Sequence, residues 1–167
     1  LDKVRPGGVI AFITSKGTLD KENPNVRKYI AQRADLLGAI RLPNDTFKAA
    51  AGTEVTSDII FLQKRDRLVD IEPDWVHLAT DANGIRMNAY FVDNPEMVLG
   101  DMQMVSGPHG MESACIAYEN AELGDLLRDA IQNIHAELTE FEIDDLEAED
   151  EDLSIPADPD GRNFSFP

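Results

Sequence analysis

Three short apolar segments decide what the first half of this chain can fold into: "VIAFIT" at 9–14, "LLGAIRL" at 36–42 and "DIIFLQ" at 58–63. Each is bounded by turn or polar residues and too short for a typical helix, so each reads as a strand. "VIAFIT" is apolar on both faces, which predicts a strand covered on both sides, as in a parallel α/β sheet. A helix separates the first two strands. Asn23 is placed to cap it, Pro24 suits its first position, and Val26, Tyr29, Ile30, Arg33 and Leu37 follow helical spacing with Arg33 the polar exception. Strand, helix, strand is a crossover, so 9–14 and 36–42 are expected to run parallel. The third strand follows a long loop and is expected to be antiparallel. Residues 1–5 read as the end of a helix, stopped by "RPGG".

Beyond residue 66 the character changes. "WVHLAT" at 75–80 reads as a strand, "DANG" as a turn, and "IRMNAYF" as a further strand-like stretch. Asn94-Pro95 can open one helical turn, "SACIAY" at 113–118 reads as another strand, and Asn120 is expected to cap a helix. Leu123, Leu126, Leu127, Ala130, Ile131 and Ile134 give that helix one apolar stripe, a core or docking face. Charge divides at the same place. Residues 1–66 hold 11 Lys and Arg against 8 Asp and Glu, a net of +3, whereas residues 67–167 hold 4 against 24, a net of −20. The first part can lie near a polyanion and the second is repelled by one. Ten acidic residues and no basic ones lie between Glu137 and Asp152, which reads as a solvated linker.

Candidate chemical groups are few. A single cysteine, Cys115, excludes an intrachain disulfide, fits a reducing cytoplasm, and reads as a buried small hydrophobe. His77, His109 and His135 lack ligand spacing, so no metal is expected. No apolar run is long enough to span a membrane. Asp58 opens a strand and reads as a turn or cap residue. The loop between the second and third strands carries one large aromatic, Phe47, which from its residues alone reads as a lid over the sheet end. Lys48, Arg41 and Lys64 read as solvated.

"PGGVIAFITS", a helix, and then "LLGAIRLPNDTFKAAAGTEVTSDIIFLQKR" resemble the C-terminal half of an adenine-N6 DNA methyltransferase, like those of type I modification subunits and the large methylase–helicase proteins of phages and mobile elements. Leu42-Pro43, Phe47 and "DIIFLQK", in that order, carry the resemblance. It implies an α/β fold: a partial Rossmann-like methyltransferase sheet whose strands five, six and seven are 9–14, 36–42 and 58–63, the last inserted antiparallel between the others. A small α+β segment and an acidic tail would follow. The implied divisions are 1–66 (C-terminal half of the methyltransferase domain), 67–136 (accessory segment) and 137–167 (linker). S-adenosylmethionine and DNA are implied for a full-length parent, together with the missing N-terminal half and a helicase domain in the same chain. The glycine-rich cofactor loop is absent, and Asn23-Pro24-Asn25 and Asn94-Pro95-Glu96 lack the second proline and the aromatic of the target-base tetrapeptide. The fragment is therefore expected to be inactive, with no catalytic residue and no cofactor of its own. The resemblance casts Phe47 as the face on which an extruded base stacks, Lys48 as a phosphate contact, and Gly52 as the residue that lets the loop turn.

A second reading belongs to another class: a non-catalytic acidic interaction module, antirestriction or DNA-mimicking, that occupies the DNA-binding surface of another protein. A mimic needs carboxylates spaced on a rigid surface, and here ten of them cluster in the expected linker.

Overall fold

A computed structural model describes Leu1 and residues 3–135, which belong to one compact unit. The expected linker, 137–167, lies outside the described residues. The fold is mixed α/β, built from small antiparallel sheets and short helices. β1 (Val9–Ser15), β2 (Ala34–Leu42) and β3 (Ser57–Lys64) form the first sheet in the order β1-β3-β2. β3 is antiparallel to both neighbours, so β1 and β2 point the same way without touching. The expected positions and directions of these three strands hold. Among the described residues the largest sheet has these three strands and every pairing between strands is antiparallel, so the structure shows a mixed α/β fold with small antiparallel sheets and does not show a Rossmann-like fold.

The two faces of this sheet differ. Asp58, Ile60 and Leu62 of β3, with Ala39 and Arg41 of β2, point one way and are buried. On the opposite face Ile40 and Leu42 are buried, but Val9 and Ile13 of β1 are more than half exposed. Burial of β1 alternates strictly, so the expectation of a strand covered on both sides is corrected. Runs of apolar residues fit a central strand, but β1 is an edge. The β2 edge is occupied instead: Leu99 N–H donates to the Arg41 carbonyl at 2.9 Å, beside an isolated parallel bridge between Arg41 and Val98.

The connecting helices depart from the expected pattern. α1 (Gly17–Asp20) is an added turn of helix after β1. α2 (Asn25–Ala31) begins after Pro24, and Asn23 accepts a hydrogen bond from Asn25 N–H. Its buried residues are Arg27 and Ala31, and of the expected apolar positions Ile30 packs on the core while Val26 and Tyr29 are exposed; the helix ends at Ala31, so Arg33 lies beyond it and Leu37 belongs to β2. Arg27 is buried with its guanidinium satisfied, donating to the carbonyls of Val76, Thr18 and Lys21. The N-terminal residues form turns rather than the end of a helix. α3 (Lys48–Ala51) lies in the loop before β3.

In the second half, β4 (Leu78–Thr80) pairs with β5 (Arg86–Asn88) around the 81–84 turn. The expected strand then stops, because Asn88 accepts from Tyr90 N–H and caps α4 (Ala89–Asp93). Pro95–Met97 form the expected single turn. β6 (Asp101–Gly107) and β7 (Gly110–Ile116) make a hairpin, of which sequence reading found only the second strand. α5 (Leu123–Ile131) buries Ala130 and packs Leu123, Leu126 and Leu127 on the core. Asn120 is not its cap; it takes a left-handed conformation, φ 59°, two residues ahead of Glu122.

Candidate functional site

Three places gather the polar and aromatic residues that a function can use. The first is inside. Arg41 is fully buried, which corrects the expectation that it is solvated. Its Nε and Nη2 donate to the two carboxylate oxygens of Asp58 at 2.8 and 2.9 Å, and its Nη1 and Nη2 donate to those of Asp20 at 2.8 and 2.9 Å. The Phe91 ring lies 4.4 Å from the guanidinium carbon. Asp58, expected as a turn or cap residue, is likewise fully buried. Asp20 accepts a further bond from Asn88 N–H, and Asn88 Nδ2 donates to the carbonyls of Leu19 and Trp75. Burial opposes the charge on Arg41, but Asp58 and Asp20 outweigh it and hold the guanidinium above its usual range. The geometry of this centre fastens β2, β3, α1 and α4 to one another.

The second place is the loop between β2 and β3. Phe47 begins α3, is half-buried, and packs against the core. Gly52, expected to let the loop turn, takes φ 74°, a left-handed conformation that closes the helix. Lys48 is exposed and pairs with Glu54 at 3.1 Å. The loop is pinned at its base by Cys115, whose N–H donates to Thr56 Oγ1 and whose carbonyl accepts from Asn44 N–H. Lys64, expected to be solvated, is partly buried with Nζ on the carbonyls of Leu1 and Val4. Cys115 itself is buried, and desolvation pushes its thiol up to about 12.

The third place was not found from sequence. A groove of about 300 Å³ lies between the β4–β5 turn, α4, the 95–100 segment and the β6–β7 hairpin. Its floor is apolar, with Met87, Phe91, Val98 and Met102, and its rim carries Asp81, Asp101 and the exposed ring of Tyr118. Asp81 is fixed by its own turn, where Oδ1 accepts from Asn83 and Ile85 N–H at 2.9 and 2.8 Å. The Tyr118 hydroxyl is pushed above its ordinary pKa by desolvation and then by Asp101. A signal was present in the sequence: no Lys or Arg occurs between Arg86 and Arg128, while seven carboxylates do. The bracketing arginines are engaged, Arg86 with Glu22 and Arg128 with Asp125.

Comparison with known proteins adds one relative. Over 81 residues, 48% of this chain, the sequence is 32% identical to "Defense against restriction protein B" of Escherichia phage P1; the match covers 4% of that protein's length. No family model and no solved structure matches. The methyltransferase reading is corrected on this finding: the relative is named for defence against restriction, and neither methyltransferase nor S-adenosylmethionine chemistry has support. Among the described residues no helix is long and apolar enough to cross a membrane. What the chain resembles is a short piece of a far longer protein that defends against restriction.

Proposed function

We propose that this chain is a non-catalytic interaction module of the antirestriction kind. The observation that carries the reading is the 32% identity with the phage defence protein. Charge supports it. A net of −17 favours contact with cationic protein surfaces, such as those that grip DNA, over contact with DNA itself. The organisation of the interior is compatible: the charged groups of the Arg41 centre are consumed by one another, which leaves the surface as the part that can act.

The test is a restriction challenge. The chain is expressed in a bacterial host with a type I restriction system, and unmodified phage is plated on it. The expected outcome is a plating efficiency above that of the same host with an empty vector, with cleavage by the purified restriction enzyme slowed when the purified chain is added. Unchanged plating and unchanged cleavage in the presence of folded protein would overturn the reading.

A further inference from the structure

We propose that the groove between the β4–β5 turn, α4 and the β6–β7 hairpin receives a basic segment of a partner protein, with one apolar side chain on its floor and flanking Lys or Arg side chains on its acidic rim. The proposal rests on the reading of the chain as an interaction module and names the chemistry of its partner. The groove volume, about 300 Å³, suits one or two side chains rather than a whole helix face. Two methionines, Met87 and Met102, line it, and unbranched thioethers adapt to anchors of different shape.

The rim decides which anchor is accepted. Asp81 is held in place by backbone hydrogen bonds of its own turn, so a cation meeting it need not order it. Asp101 also lines the groove, and Tyr118 offers its ring to a guanidinium or ammonium. The whole stretch from 87 to 127 lacks Lys and Arg, so no side chain of fixed positive charge on that stretch competes for the rim. Charge also excludes other occupants. A second copy brings another −17, and a nucleic acid brings phosphates, so both are repelled. A segment with Lys or Arg on either side of a Leu or Met has the opposite sign and the matching apolar centre.

The experiment is a fluorescence-anisotropy titration of the full chain against a fluorescein-labelled Lys-Arg-Leu-Arg-Lys peptide at physiological salt. Saturable binding is expected, with affinity reduced about tenfold by Asp101→Lys and by Met102→Glu, and less by the milder Asp101→Asn. Replacing the peptide leucine by serine should weaken binding similarly. Asp70→Lys makes the same charge change at an exposed residue outside the groove and should shift affinity by about twofold at most. Melting curves establish that each variant is folded. The proposal is overturned if binding does not saturate, if Asp70→Lys weakens it as much as Asp101→Lys, or if the serine peptide binds equally well. The restriction challenge separates the two levels. Peptide binding without protection against restriction removes the antirestriction reading and keeps the groove; protection without peptide binding does the reverse.

Discussion

At the scale of single residues, the molecule depends on one arginine. Arg41 satisfies two carboxylates at once because its planar fork offers parallel donors on two sides, which an ammonium cannot. Arg41→Met leaves Asp58 buried without its counter-charge and should cost about 3–5 kcal/mol in a chemical denaturation curve. Arg41→Lys should recover only a minor part of that loss. Arg41→Met combined with Asp58→Leu should recover more than Arg41→Lys, since removing a buried pair is milder than breaking one. A double variant no more stable than Arg41→Met alone would show that packing on Phe91, not charge, sets the cost. Cys115 makes a second residue-level prediction. Its thiol, pushed up to about 12 by burial, stays protonated in the folded state well above neutral pH. Iodoacetamide at pH 8 should therefore label the native protein only as fast as the β7 region opens, and promptly in denaturant. Rapid labelling without denaturant would contradict the burial.

At the scale of elements, the loop between β2 and β3 and the start of β6 are the informative pieces. Phe47 is half-buried against the core, so Phe47→Ala should lower stability by about 1–2 kcal/mol, read as a melting shift. An unchanged melting temperature would mean that the ring contributes no packing. Gly100 is required by proximity rather than by conformation. A Cβ there would collide with the Ile116 carbonyl oxygen and sit 2.7 Å from Cys115 Sγ, so Gly100→Ala should cost about 3 kcal/mol or prevent folding. A variant as stable as the parent would place β7 further away. The strands of the first sheet were legible because each is a short apolar run between turn residues, and β3 appeared where its loop length required. What was not legible arose from partners distant in sequence. Arg41 and Lys64 looked like surface cations because nothing local announces Asp20 or the Leu1 carbonyl. β1 looked central because an apolar edge strand has the same composition as a buried one. Asn88 ended a strand that periodicity would have continued, and the reason is a cap, not a change of hydropathy. The groove was missed because its residues come from four separate stretches, though the long gap without Lys or Arg marked their neighbourhood.

At the scale of the whole molecule, charge is the dominant feature. The net charge of −17 divides as −6 over residues 1–135 (14 Lys and Arg, 20 Asp and Glu) and −11 over residues 136–167 (1 and 12); its self-repulsion opposes the compact state, so added salt should stabilise it. The melting temperature should rise as sodium chloride goes from about 10 mM to about 200 mM, because the Debye length then falls from about 30 Å to under 10 Å. A fall over the same range would mean that attractive pairs such as Arg86 with Glu22 outweigh the repulsion. The Arg41 centre has a consequence for how such a chain can be recombined. Its three charges all come from the first 58 residues, yet the groups that roof them, Asn88 and Phe91, come from beyond the charge break at residue 66. Shuffling homologous genes at that break, where composition invites a crossover, would graft a foreign roof onto an intact triad. Chimeras made there should survive only when the incoming segment supplies an amide at 88 and a ring at 91, whatever else it carries.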